Sequence, residues 1–82
     1  MKQIEKNLKF ILGKFLNINP KKINSKTNTF NNSNWDSLVN LNILIEVEKK
    51  FKIRFTKKEI NELNSYTNYI KHIGKKYAKL KK

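Results

Sequence analysis

The sequence predicts an all-α fold: a four-helix bundle with three main helices, one short third helix and a long loop between helices one and two. Three observations carry this. Apolar residues recur at helical spacing in three separate stretches, a capping box opens a fourth, and the single proline, Pro20, closes the first stretch ahead of a polar connection. With 82 residues the chain has material for one domain with one modest core.

The first helix is expected from about Lys2 to Leu16, with Ile4, Leu8, Ile11, Leu12 and Phe15 on one side and lysines on the other. Asn17 to Pro20 ends it, because the residue before a proline is pushed out of the helical region. Residues 17–35 then form a connection of unusual length for a compact domain, of the kind that is usually functional or partly ordered. Ile18, Ile23, Phe30 and Trp35 are expected to pin it to the bundle. The second helix should run from Ser37 to about Lys50, followed by a short connector, Lys52 to Phe55. In Thr56-Lys57-Lys58-Glu59 the threonine and glutamate can satisfy each other's backbone donors, which starts a short third helix from Lys57 to about Leu63. Ser65 is a good N-cap for the fourth helix, whose apolar stripe of Tyr66, Tyr69, Ile70, Ile73 and Tyr77 extends to about Tyr77. A single domain is therefore expected over 1–78, with a Lys-rich tail, 79–82, that frays.

The second helix holds the chemistry. Asp36 can cap it through a side-chain oxygen, which leaves Ser37 at the first helical position with its hydroxyl outward. A helix start exposes backbone N–H groups and the positive end of the dipole, so a phosphate on that oxygen is favoured. At about 100° per residue, Val39, Ile43, Leu44, Val47 and Phe51 fall on one arc. Leu38, Leu41 and Ile45 fall on another, close to Ser37 and Glu48. A surface helix needs one apolar face to reach its core, and a second is either buried or kept for a partner. Asp-Ser-Leu alone is also an ordinary helix start.

These residues, in this order, resemble an acyl carrier protein. The resemblance runs from about Ile4 to Ile73. It is carried by Leu16-Asn17-Ile18-Asn19-Pro20, Ile23, Phe30, Asp36-Ser37-Leu38, Leu41, Glu48, Phe51, Ile53, Thr56, Glu59-Ile60, Leu63, Ser65 and Ile70. It implies a four-helix carrier domain, not itself an enzyme, whose Ser37 bears a 4'-phosphopantetheine arm through a phosphodiester. Acyl or aminoacyl groups would ride on that arm as thioesters, on their way to partner enzymes of fatty-acid, lipid or specialised-metabolite synthesis. A phosphopantetheinyl transferase would install the arm, with Asp36 and Leu38 helping it recognise the site. Leu41, Ile45, Glu46 and Glu48 would meet partner enzymes, and Ile43, Val47, Ile60 and Leu63 could shelter a short acyl chain. Two departures stand out. Positions commonly acidic after the serine are here Asn42, Lys49 and Lys50, and Trp35 precedes the aspartate where a small or aliphatic residue is usual. The first puts strong electrostatic steering to ordinary fatty-acid enzymes in doubt.

Composition narrows the remaining classes. The chain has no cysteine, so any thiol must come from a cofactor, and neither a disulfide nor a thiolate metal site is available. Ser37 as a catalytic nucleophile would need a base, and the one histidine, His72, is expected to face solvent on the last helix. No apolar run reaches membrane-spanning length, and Met1 to Glu5 does not open as a secretion signal, so a monomeric cytoplasmic domain is expected. The net charge of +13 raises the alternative of a Lys-rich helical nucleic-acid-binding protein. The excess sits at the ends: residues 1–26 and 71–82 each contribute +6, while 36–62 contribute +1. Only Arg54 is an arginine, against the preference of specific phosphate and base recognition for the bidentate guanidinium. Lys, Asn and Ile share AT-rich codons, so compositional drift accounts for much of the charge. A membrane-surface role would rest on a Lys-rich tail that lacks a strong apolar anchor.

Overall fold

A computed structural model describes the backbone of residues 2–80 and the side chains of residues 3–77. Four α-helices follow one another: α1 (Lys2–Leu16), α2 (Ser37–Phe51), α3 (Lys57–Glu62) and α4 (Tyr66–Leu80), with a 3-10 turn at Pro20–Lys22 in the long loop. The helix starts match the sequence expectations. Helix α4 continues three residues past Tyr77, so the first two residues of the expected tail are helical, and 81–82 lie outside the described residues.

One core runs through the bundle. Ile4, Leu8, Ile11, Leu12 and Leu16 of α1 meet Ile43, Leu44, Val47 and Phe51 of α2 and Tyr66, Tyr69 and Ile73 of α4, with Ile53, Phe55 and Leu63 filling the corner by α3. The exits of α1 and α2 use the same device. Asn17 and Lys52 take left-handed backbone, with φ of 59° and 56°. The following residues, Ile18 and Ile53, donate their N–H groups back to the carbonyls of Gly13 and Glu48. Gly13 is required at that turn, because a Cβ there would sit 2.6 Å from the Ile18 carbonyl oxygen and 3.0 Å from the Pro20 ring.

The long loop is fastened mainly by backbone and amide groups. Thr29 donates its N–H to the Asn64 carbonyl and Tyr66 to the Thr27 carbonyl, both at 3.0 Å, around an antiparallel bridge between Asn28 and Ser65. Asn24, Asn28 and Asn31 hold the intervening turns with their side-chain oxygens. Ile23 and Trp35 are buried and Ile18 packs against the core, as expected. Phe30 corrects the expectation: it is 92% exposed and anchors nothing, because the backbone pairing of residues 27–29 just before it already sets the loop's path.

Helix α3 clamps onto α4 through charges. Thr56 and Glu59 form the expected capping box, and the Glu59 carboxylate also meets the Lys76 ammonium at 2.9 Å. The Thr56 backbone N–H, and after it Lys76, hold this carboxyl down to about pH 2. His72 is the second correction. It is buried beneath α3, with Nε2 2.9 Å from Glu62 and Nδ1 3.6 Å from Glu59, because α3 lies over the face of α4 that the apolar stripe leaves polar. A depressed carboxyl stabilises the fold above its unfolded value and loses that contribution as pH falls through the folded one. Denaturant titrations from pH 7 downward should therefore show Glu59-dependent stability intact above about pH 5 and lost between about 4.5 and 2. Glu59→Gln should be less stable at neutral pH and show a shallower loss across that window.

Candidate functional site

The loop delivers the chain to α2 through Trp35. Its ring stacks on Tyr69 with centroids 6.3 Å apart, and its indole N–H donates to Asn40 Oδ1 at 3.0 Å. The same oxygen accepts the Tyr69 hydroxyl at 2.8 Å, while Asn40 Nδ2 donates to the Leu63 carbonyl at 3.0 Å. Burial, and behind it the Glu48 charge, push the Tyr69 hydroxyl well above the ordinary tyrosine range, so it stays a neutral donor. Asn40 therefore ties the first turns of α2 to the loop, to α4 and to the end of α3. Reading the sequence did not single it out: an asparagine one turn into an amphipathic helix looks like any solvated polar residue.

Asp36 has extended backbone and accepts the Val39 N–H on Oδ1 at 2.9 Å, the N-cap expected of it. Ser37 follows at the first helical position and is exposed. Beyond it the two arcs separate. Ile43, Leu44, Val47 and Phe51 are buried, whereas Leu38, Leu41 and Ile45 are 69%, 50% and 42% exposed. Three large apolar side chains thus line one stripe of α2 from the serine outward, with no part of the described chain covering them.

The remaining candidates divide. Ile43, Val47 and Leu63 are fully buried and Ile60 is partly buried against the same cluster, so all four belong to the continuous core. Glu46 reaches Lys14 of α1 at 3.9 Å rather than its i,i+4 neighbour Lys50, a surface pair of small energetic weight. Glu48 accepts the Phe55 N–H at 3.0 Å and fixes the turn after α2. Both glutamates are thus engaged within the chain. Among the described residues no group of acidic or histidine side chains could hold a metal ion, and no helix is long and apolar enough to cross a membrane.

No protein-family model matches the chain. It is 29% identical over 79 residues to an acyl carrier protein of Buchnera aphidicola subsp. Schizaphis graminum (strain Sg), covering 96% of this chain and all of that one. An acyl carrier protein from Enterococcus faecalis superposes with a TM-score of 0.73 over 88% of this chain and 91% of its own, at 14% identity. The chain has the acyl carrier protein fold. The sequence likeness covers nearly its whole length as well, so the acyl carrier resemblance rests on both comparisons. In that fold the exposed Ser37 at the head of α2, with the apolar stripe beside it, is the feature that stands out chemically.

Proposed function

We propose that this protein works as an acyl carrier: Ser37 accepts a 4'-phosphopantetheine arm from a phosphopantetheinyl transferase, and partner enzymes load and unload acyl or aminoacyl groups on it. The observation that supports this most is an exposed serine at the first position of a capped helix, next to an exposed apolar stripe. The residues suit the group. A phosphodiester on Ser37 Oγ would lie beside the first-turn N–H groups of α2 and the positive end of its dipole, and Asp36 is occupied in capping Val39. When bound, the arm supplies the thiol that the cysteine-free chain lacks. The chain itself contributes the acceptor oxygen, a rigid helix start to hold it, and a surface on which enzymes can dock. Tethering raises the effective concentration of cargo at each docked active site. We place it in the cytoplasm as a monomer without catalytic residues of its own.

The test is an intact-mass measurement after incubation with a broad-specificity transferase and coenzyme A. One phosphopantetheine mass should be added to the parent and none to Ser37→Ala. An adduct that persists in Ser37→Ala, or none in the parent with several transferases, would overturn the reading.

A further inference from the structure

Beyond Ile45 the exposed stripe of α2 turns from apolar to charged. One turn on, Lys49 continues it, and Lys52 lies on the same line where the helix closes. Ile45, Glu48, Lys49, Lys52, Ile53 and Arg54 together line a cleft of about 410 Å³. Of these charged groups, Glu48 is turned inward onto the Phe55 N–H. Lys49, Lys52 and Arg54 are exposed, and among the described residues none forms an ion pair. Compensation of the helix dipole accounts for Lys49 and Lys50 in the last turn but not for Arg54, two residues beyond the C-cap Lys52. At 1.5 Å per residue Lys49 and Lys52 stand roughly 18–22 Å from Ser37 along the helix, with Arg54 just beyond its end.

We infer that α2 docks a protein surface of opposite charge: an apolar strip that covers Leu38, Leu41 and Ile45, and a cluster of carboxylates roughly 18–22 Å from the entrance that receives Ser37. This rests on the carrier reading and adds to it the chemistry of the partner. An enzyme whose docking surface is basic meets unpaired cations at the far end of the stripe and is repelled, whereas an acidic one is held in a single direction along the helix. The apolar end then falls over the active-site mouth and the charged end sets the register.

The experiment uses one phosphopantetheinyl transferase with a basic carrier-docking surface, in its original form and with those basic residues replaced by glutamate. The carrier is compared as the parent and as the triple variant Lys49→Glu, Lys52→Glu, Arg54→Glu, with circular dichroism melts confirming that both are folded. kcat/KM for the addition of phosphopantetheine is followed by intact mass. At about 0.01 M ionic strength, where charges act over ~30 Å, the triple change should raise kcat/KM with the basic transferase and lower it with the glutamate form. Each change should be on the order of tenfold. At about 1 M both differences should collapse. A change of the same sign with both transferases, or no change with either, overturns the inference while the adduct itself leaves the carrier reading standing. Absence of any adduct removes the carrier reading, and the inference with it. Protection of Ser37 by a DNA duplex at about 0.15 M ionic strength, relieved in the triple variant, would assign the cations to a polyanion and also overturn it.

Discussion

Phe51→Ala is expected to cost about 3–5 kcal/mol of folding stability, while Leu41→Ala and Ile45→Ala, on the same helix, should each cost less than about 1.5 kcal/mol. The difference lies in what each side chain touches. Phe51 is 4% exposed and meets the Tyr77 ring edge-on with centroids 5.7 Å apart, so truncation opens a cavity between α2 and α4 and forfeits the aromatic contact. Leu41 and Ile45 already leave about half of their surface in water, and removing them leaves no void. The functional consequences should be inverted. Both exposed variants should slow phosphopantetheine addition while their thermal melts stay close to the parent. Phe51→Ala, assayed at a temperature where it is still folded, should be modified at nearly the parental rate. Matched melts and transferase kinetics decide the matter. Large stability losses at both Leu41 and Ile45 would mean that the outer arc is structural.

Where the sequence was readable, the signals were local. The Asp36 cap, the Thr56–Glu59 box and the Ser65 cap each depend on groups within one turn, and all three form. The two arcs of α2 follow from helical geometry alone, and burial separates them as the spacing predicts. What could not be read depends on contacts across the fold. Phe30 looked like a loop anchor because it is large and apolar, but residues far away in sequence, Asn64 and Tyr66, bind the loop's backbone instead. His72 looked solvated because nothing in its own helix shows that Glu59 and Glu62 will arrive from α3. Glu46 was expected at a partner surface, and nothing near it in sequence shows that Lys14 of α1 will reach it. At the site, the serine, its cap and the apolar stripe were legible, whereas the asparagine that holds them in place was not.

That asparagine carries the second large effect. Asn40→Ala should destabilise the fold by about 2–4 kcal/mol, since each buried polar group left without its partner costs roughly 1–3 kcal/mol and the three losses overlap. The Trp35 indole N–H and the Tyr69 hydroxyl would lose their shared acceptor and the Leu63 carbonyl its donor. The Tyr69 hydroxyl cannot escape by ionising, because burial and Glu48 hold it neutral. Asn42→Ala, exposed two residues further along the same helix, is the control and should stay within about 0.5 kcal/mol of the parent. Trp35 is the only tryptophan, so its fluorescence reports the site directly. If water enters to satisfy the freed groups, emission should shift to the red in the folded Asn40→Ala variant and remain unshifted in Asn42→Ala. The loop that ends at Trp35 leads straight into Asp36 and Ser37, so the same opening should also slow phosphopantetheine addition to the folded variant. Stability and emission both unchanged in Asn40→Ala would show that the loop, α3 and α4 hold the head of α2 without this hub.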